Sequence, residues 1–168
     1  MNQQQVQIFK NLANYKFKYF ILNLLSTKYF KYDRNLNIFL AFATSSSVAS
    51  WIMWDEFPAV WGGIIIAAQI VNLIKPYFPF SKYCKEINEK QRALQGMIIN
   101  YENLWSKIQY GEISEKRGRD EYLKLGKQIQ ELLNFSDDIV LNVNKRITSE
   151  AREKTNLYLH RNYFHATE

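Results

Sequence analysis

The chain has 168 residues, enough for one modest domain, and carries a formal net charge of +6. Its single cysteine, Cys84, excludes an intrachain disulfide framework and a cysteine metal cluster. The opening residues, MNQQQVQIFK, lack the basic, apolar and small-residue regions of a cleavable signal peptide, so none is expected.

The basic residues are concentrated on both sides of one long apolar stretch, residues 36–74. Six basic residues and one acidic residue precede it, and residues 75–92 contain five basic and two acidic residues. The only charges inside the stretch are Asp55 and Glu56. Residues 93–168 contain 11 basic and 11 acidic residues, which argues against a general nucleic-acid-binding surface.

The first predicted element is an amphipathic helix within residues 1–35. Its apolar residues recur at steps of three and four, namely Val6, Phe9, Ala13, Phe17, Phe20 and Leu24. Lysines and tyrosines lie between them, a pattern typical of helices at a membrane surface. The same pattern suits a helix packed on the helical domain that follows, and the two interpretations stay open.

Residues 36–76 are predicted as a transmembrane hairpin with arms at about 36–54 and 58–75. Each arm has about the ~20 residues needed to cross the hydrocarbon core. An acidic pair before Pro58 favours a short link and a new helix start. Basic flanks predict that both termini are cytoplasmic. The alternative is a buried hairpin inside a soluble helical bundle.

Both arms contain polar residues near their middle. Those selected as candidates for a pore lining or a subunit interface are Thr44, Ser47, Ser50, Gln69 and Asn72. Polar groups within a membrane span normally face protein or water. The alternatives are that the hydroxyls bond to their own helical turn and that the amides only join helices.

Residues 77–168 are predicted as a cytosolic helical domain. Its first helix has a heptad-like apolar pattern, which predicts a coiled-coil seam between subunits, formed by Ile87, Leu94, Ile98, Tyr101, Trp105 and Ile108. Gly111 is predicted to end that helix. A second helix follows, and Ser136 with Asp137 is predicted to cap a third.

The residues indicate little catalytic chemistry, so a non-enzymatic protein without metal or cofactor is expected. His160 and His165 lie near the C-terminus without a nucleophile partner in any motif. The segment 111–121 lacks phosphate-loop spacing. Its basic residues, Lys116, Arg117 and Arg119, are candidate contacts for an anionic ligand, and a solvated turn is the alternative because acidic neighbours cancel most of the field.

The order of parts resembles the SLATT-type two-span effectors of bacterial conflict and anti-phage systems. The stretch FPAVWGGIIIAAQIVNLIKPYFPFSK (57–82) is similar to their second span and exit. The resemblance implies a pore in the bacterial inner membrane that depolarises the cell and arrests growth. Because two spans cannot enclose an ion path alone, a homo-oligomer is predicted, most simply a tetramer. The resemblance also implies gating by a nucleotide or oligonucleotide from a partner nucleotidyltransferase, as in Hailong-type systems, although no ligand motif carries over.

Two other functions were weighed against the pore. One is a non-catalytic, membrane-anchored scaffold whose coiled-coil tail recruits a partner protein. The other, an intramembrane enzyme, has no support because neither arm contains an acidic residue, a histidine or a cysteine.

Overall fold

The computed structural model describes residues 3–53, 58–77, 80–136, 139 and 141–164, and the elements in these ranges are helical. The five α-helices are α1 (Gln3–Met53), α2 (Pro58–Ile74), α3 (Phe80–Gln109), α4 (Glu115–Leu132) and α5 (Lys145–Leu159). A 3₁₀ turn, Lys75–Tyr77, follows α2, and a π-helical turn, His160–Phe164, follows α5. The all-helical part of the predicted fold class is therefore confirmed.

The predicted transmembrane hairpin is wrong. In the ranges that the structure describes, no helix is both long and apolar enough to cross a membrane. The second arm, α2, has 17 residues and spans about 26 Å at 1.5 Å per residue, less than the ~30 Å hydrocarbon core. The first arm belongs to a 51-residue helix that begins in a polar segment and contains a Thr-Ser-Ser-Ser run. The membrane fold class, the channel assignment and the inner-membrane location are corrected with it.

The chain divides into two compact units. Unit 1 combines Met1–Ser26 with Lys85–Glu168, and unit 2 is Thr27–Cys84. These boundaries fall inside α1 and α3, whereas the sequence pattern suggested segments ending at residues 35 and 76. The first boundary differs because α1 continues through residue 35, whereas the second falls inside α3, which begins only after residue 76.

Unit 1 has a core made by α1, α3, α4 and α5. Its largest fully buried side chains are Tyr101, Ile8, Leu12, Leu25, Ile87, Leu94, Ile98, Leu104 and Ile129. The stripe predicted on the first helix is displaced, since Val6 is exposed while Ile8 and Leu12 are completely buried. This N-terminal stretch of α1 therefore packs as a helix of a bundle, which was the second of the two interpretations for it.

Local signals account for the helix ends around α4. Gly111 has a φ of +71°, a conformation that favours glycine, and α3 ends just before it, as predicted. Ser114 caps α4 by accepting a hydrogen bond from the Arg117 N–H. At the other end of α4, the Lys90 ammonium donates to the Leu132 carbonyl at 3.0 Å, which favourably places a cation at a helix C-terminus.

The predicted cap at Ser136 is wrong. The backbone N–H and the hydroxyl of Ser136 instead donate to the Glu86 carboxylate, at 3.1 and 2.9 Å. The last α-helix starts at Lys145, where the Asn144 Oδ1 accepts from the Ile147 N–H at 2.9 Å. A partner 50 residues away in sequence thus competes successfully for the Ser136 side chain.

Asn144→Ala is expected to lower the free energy of unfolding by about 1 kcal/mol, because it leaves a donor of the first turn of α5 without its cap. Thermal unfolding followed by circular dichroism measures the loss. Asn142→Ala, an exposed asparagine outside the helix, is the matched control and should leave stability unchanged. Equal effects of the two variants would contradict the assignment of the cap.

Candidate interaction surface

Unit 2 is a helical hairpin with a small apolar core. Leu40 on α1 and Ala68 on α2 are buried against each other, with Ile64 and Val71 packed beside them. These α2 residues follow steps of three and four, so they form the side of the helix that faces α1. Among the described side chains of this hairpin, the remaining sides of α2 make no comparable contact.

A polar network closes one end of the hairpin. The Lys75 ammonium donates to the Asn37 Oδ1 at 2.7 Å, and the Asn37 Nδ2 donates to the Asp33 carboxylate at 3.1 Å. Burial, followed by the nearby Asp33 charge, raises the pKa of the Cys84 thiol. The thiol is thereby kept in its neutral, less reactive form.

Large apolar side chains cover the outside of the hairpin. On α2, Ile66 is 63% exposed and Leu73 is 73% exposed. The other exposed members of this set are Ile38, Phe39, Phe42, Val60, Ile65, Ile70 and Ile74. Together they present on the order of 900 Å² of apolar surface, distributed over more than one side of the hairpin. We call these nine residues the apolar surface of unit 2.

One stripe of α2 lies opposite its contact with α1. It contains Ile66, Ile70 and Leu73 toward the C-terminal end and the small residues Ala59 and Gly62 toward the N-terminal end. A methyl group added at Gly62 would meet no atom within 4 Å, so the space beside it is open. The stripe is therefore large at one end, small at the other and unoccupied along its length by the described chain.

The structure describes the side chains of two of the five predicted pore residues. Gln69 and Asn72 are exposed on α2. The side chains of Thr44, Ser47 and Ser50 lie outside the described residues. The pore role of this set stays a prediction.

Most residues of the predicted subunit seam lie in the core of unit 1. Ile87, Leu94, Ile98 and Tyr101 are buried inside unit 1 of a single chain. The Trp105 ring packs edge-on against Tyr163, with centroids 5.4 Å apart, and Ile108 is half-buried. The same three- and four-residue spacing that suits a coiled coil here buries α3 within its own bundle, so most of this surface is unavailable to another copy.

A polar cluster in unit 1 had no signal in the sequence. The Lys16 ammonium lies 3.9 Å from the Glu102 Oε1 and 3.7 Å from the Tyr158 ring centroid, and the Tyr158 hydroxyl donates to Glu102. Burial lowers the pKa of Lys16, and the Glu102 charge partly opposes that shift. Burial and the Glu102 contact raise the pKa of Tyr158. The cluster joins α1, α3 and α5 and pairs its charges internally, as a structural tie would.

The candidate anion contacts lie at the start of α4. Lys116, Arg117 and Arg119 are all exposed, and Arg117 pairs with Glu121 at 3.6 Å. Arg119 also lines a cleft of about 310 Å³ with Tyr122 and residues of α1. Their proposed contact with an anionic ligand stays a prediction. Within the described ranges, no group of three His, Cys, Asp or Glu side chains could hold a metal ion.

No protein-family model, curated protein or solved structure matches this chain significantly. The resemblance to two-span anti-phage effectors accordingly stays a prediction, and the function is argued from the apolar surface of unit 2.

Proposed function

We propose that the chain is a non-catalytic scaffold protein that docks a protein partner on the apolar surface of unit 2. The observation that carries the proposal is the exposure of nine large apolar side chains around a hairpin whose described core is centred on Leu40 and Ala68. A helix whose exposed side chains are mostly large and apolar is normally covered by another part of an assembly. This retains the scaffold interpretation without its membrane anchor.

The energetics favour a partner of protein size. Covering on the order of 900 Å² of apolar surface contributes about 22 kcal/mol before the costs of association. Those costs are roughly 4–15 kcal/mol, with further losses for side chains that become ordered. Complete coverage therefore leaves a net gain, whereas a small ligand covering one or two side chains would contribute only a few kcal/mol.

The shape of the surface favours a helical partner. Ile66, Ile70 and Leu73 form a convex ridge at steps of four and three, and such ridges pack into the grooves of another helix. Small-molecule sites are concave instead. An amphipathic or apolar helix is thus the class of partner segment that fits.

Cysteine labelling tests whether this surface is covered. In a Cys84→Ser background, Leu73→Cys is compared with Leu157→Cys, since Leu157 is also an exposed leucine, 64% exposed, on α5 of unit 1. Concentrated purified protein and cell lysate are treated with a maleimide. We expect Leu73→Cys to react at least tenfold more slowly than Leu157→Cys, and both to react equally after denaturation.

Equal native rates at the two positions, in both lysate and concentrated protein, would show that the surface is uncovered and would overturn the proposed function. Slow labelling at Leu157→Cys as well would indicate general protection, which the proposal does not predict.

A further inference from the structure

We infer that the partner covering α2 is a second copy of this chain, bound antiparallel across a two-fold axis near Ile66. The inference rests on the proposed function and names its partner. It is carried by three properties of unit 2, which are the absence of charge on the exposed stripe, the position of the basic residues and the distribution of large and small side chains.

The exposed stripe selects an uncharged partner surface. None of the described residues from Ala59 to Ile74 is charged. A partner that brought a charged side chain against this stripe would bury it without a counter-charge, at a cost of several kcal/mol. The same stripe on a second copy is also uncharged, and in an isologous contact the two copies present the same surface to each other.

Charge decides between the two directions of alignment. The described residues of unit 2 include five basic side chains and one acidic side chain, and they lie at one end of the hairpin, namely Lys28, Lys31, Arg34, Lys75, Lys82 and Asp33. Parallel packing at a helix separation of ~8–10 Å would hold the two basic ends within about one Debye length. Antiparallel packing about Ile66 separates the two copies of Lys75 by about 27 Å along the helix axis.

The sizes of the side chains along the stripe also favour the antiparallel arrangement. With the axis at Ile66, Gly62 of one copy faces Ile70 of the other, and Ala59 faces Leu73. Large residues then fill the space left by small ones at both ends, as close packing requires. In a parallel pair glycine would face glycine and leucine would face leucine, which leaves a gap at one end and crowding at the other. Antiparallel pairing also places Gln69 opposite Gly63, where its amide has room.

Disulfide cross-linking distinguishes these arrangements. Ala59 and Leu73 stand seven residues on either side of Ile66, so Ala59→Cys and Leu73→Cys are made separately in a Cys84→Ser background. Differently sized tags identify the chains, and the mixed proteins are oxidised. We expect the cross-link between position 59 of one chain and position 73 of the other to exceed either self-cross-link at least tenfold. Predominant 59–59 and 73–73 products would overturn the antiparallel arrangement.

A glycine variant tests whether this face carries the association. Gly62→Leu has open space within its own chain, and Gly96→Leu on α3 is the matched control because its site is equally open. By light scattering the natural chain and Gly96→Leu are expected to be dimeric, whereas Gly62→Leu should dissociate at least tenfold more readily with its helical circular dichroism retained. An unchanged mass for Gly62→Leu would overturn the inference.

The two proposals fail differently. A purified chain that stays monomeric up to high concentration would overturn self-association. If Leu73→Cys were nevertheless protected in lysate, the docking function would stand with a different protein as partner. If Leu73→Cys were labelled freely everywhere, both proposals would fall.

Discussion

Ile98→Asp is expected to unfold unit 1, because it places a carboxylate in the centre of the α3 packing. Ile98 is 1% exposed and lies one turn from the buried Leu94. A buried charge without a partner costs several kcal/mol, a large share of the 5–15 kcal/mol that stabilises a typical domain. Urea unfolding followed by circular dichroism should show either no cooperative transition or a midpoint shifted far toward zero urea.

The neighbouring residue offers a control with identical chemistry. Ile99 is 56% exposed on the same helix, so Ile99→Asp should change the free energy of unfolding by no more than about 0.5 kcal/mol. If Ile98→Asp instead preserved the helical signal and only reduced the molecular mass, α3 would be a subunit interface and its placement in the core of one chain would be wrong.

Unit 1 is also expected to lose stability steeply above pH 10, because three of its tyrosines resist ionisation in the folded chain. Burial is the main cause, raising the pKa of Tyr163 to about 12 and also raising the pKa of Tyr101 and of Tyr158. Unfolded tyrosines ionise near pH 10. Between pH 10 and 12 the folded chain therefore holds more protons than the unfolded chain, and stability falls as the pH rises.

Each of these tyrosines lowers the free energy of unfolding by up to about 1.4 kcal/mol per pH unit. Solvent screening reduces the contributions of Tyr158 and Tyr163, because both side chains are partly exposed. Lys16 has the opposite effect, because its pKa is lowered in the folded chain. Its contribution to the free energy of unfolding rises with pH up to the ordinary lysine pKa of 10.5. Urea midpoints are therefore compared between pH 10.5 and 12, where the Lys16 contribution is constant.

Tyr163→Phe should make the loss of stability at high pH less steep, because the variant lacks one hydroxyl whose pKa is raised in the folded chain. Tyr110→Phe replaces a tyrosine that is 73% exposed and should leave the slope as it is. A decline that is equally steep in both variants would contradict the role of the tyrosine cluster.

The two units differ in how they can be stabilised. Unit 1 has a core drawn from four helices, whereas the Leu40–Ala68 contact is the centre of the small core described for the unit 2 hairpin. Isolated helices and small helical pairs are marginal without tertiary packing. The folding of unit 2 is thus expected to be coupled to covering its apolar surface, which connects its stability to the proposed docking function.

The sequence by itself determined the features that depend on neighbouring residues. Helical periodicity predicted the helices of unit 1, and the length of the apolar runs predicted those of unit 2. Gly111 marked the turn after α3, because its left-handed conformation depends on that residue alone. The uncharged stretch around α2 was also recognisable, since charge and apolar content are read directly. What covers such a stretch is not a local property, and lipid and protein select the same side chains, so the prediction of membrane spans followed from a correct observation.

Tertiary structure decided everything that joins distant parts of the chain. Lys16 and Glu102 are 86 positions apart, and nothing in either neighbourhood indicates the ion pair. Glu86 binds Ser136 and removes a plausible cap, so α5 starts at Lys145 instead. The apolar side of α3 could have packed against another chain or against helices of the same chain. Steps of three and four residues identify one side of a helix but not the element that packs on it. Only the packing of α1 against α3 placed that side in the core of unit 1.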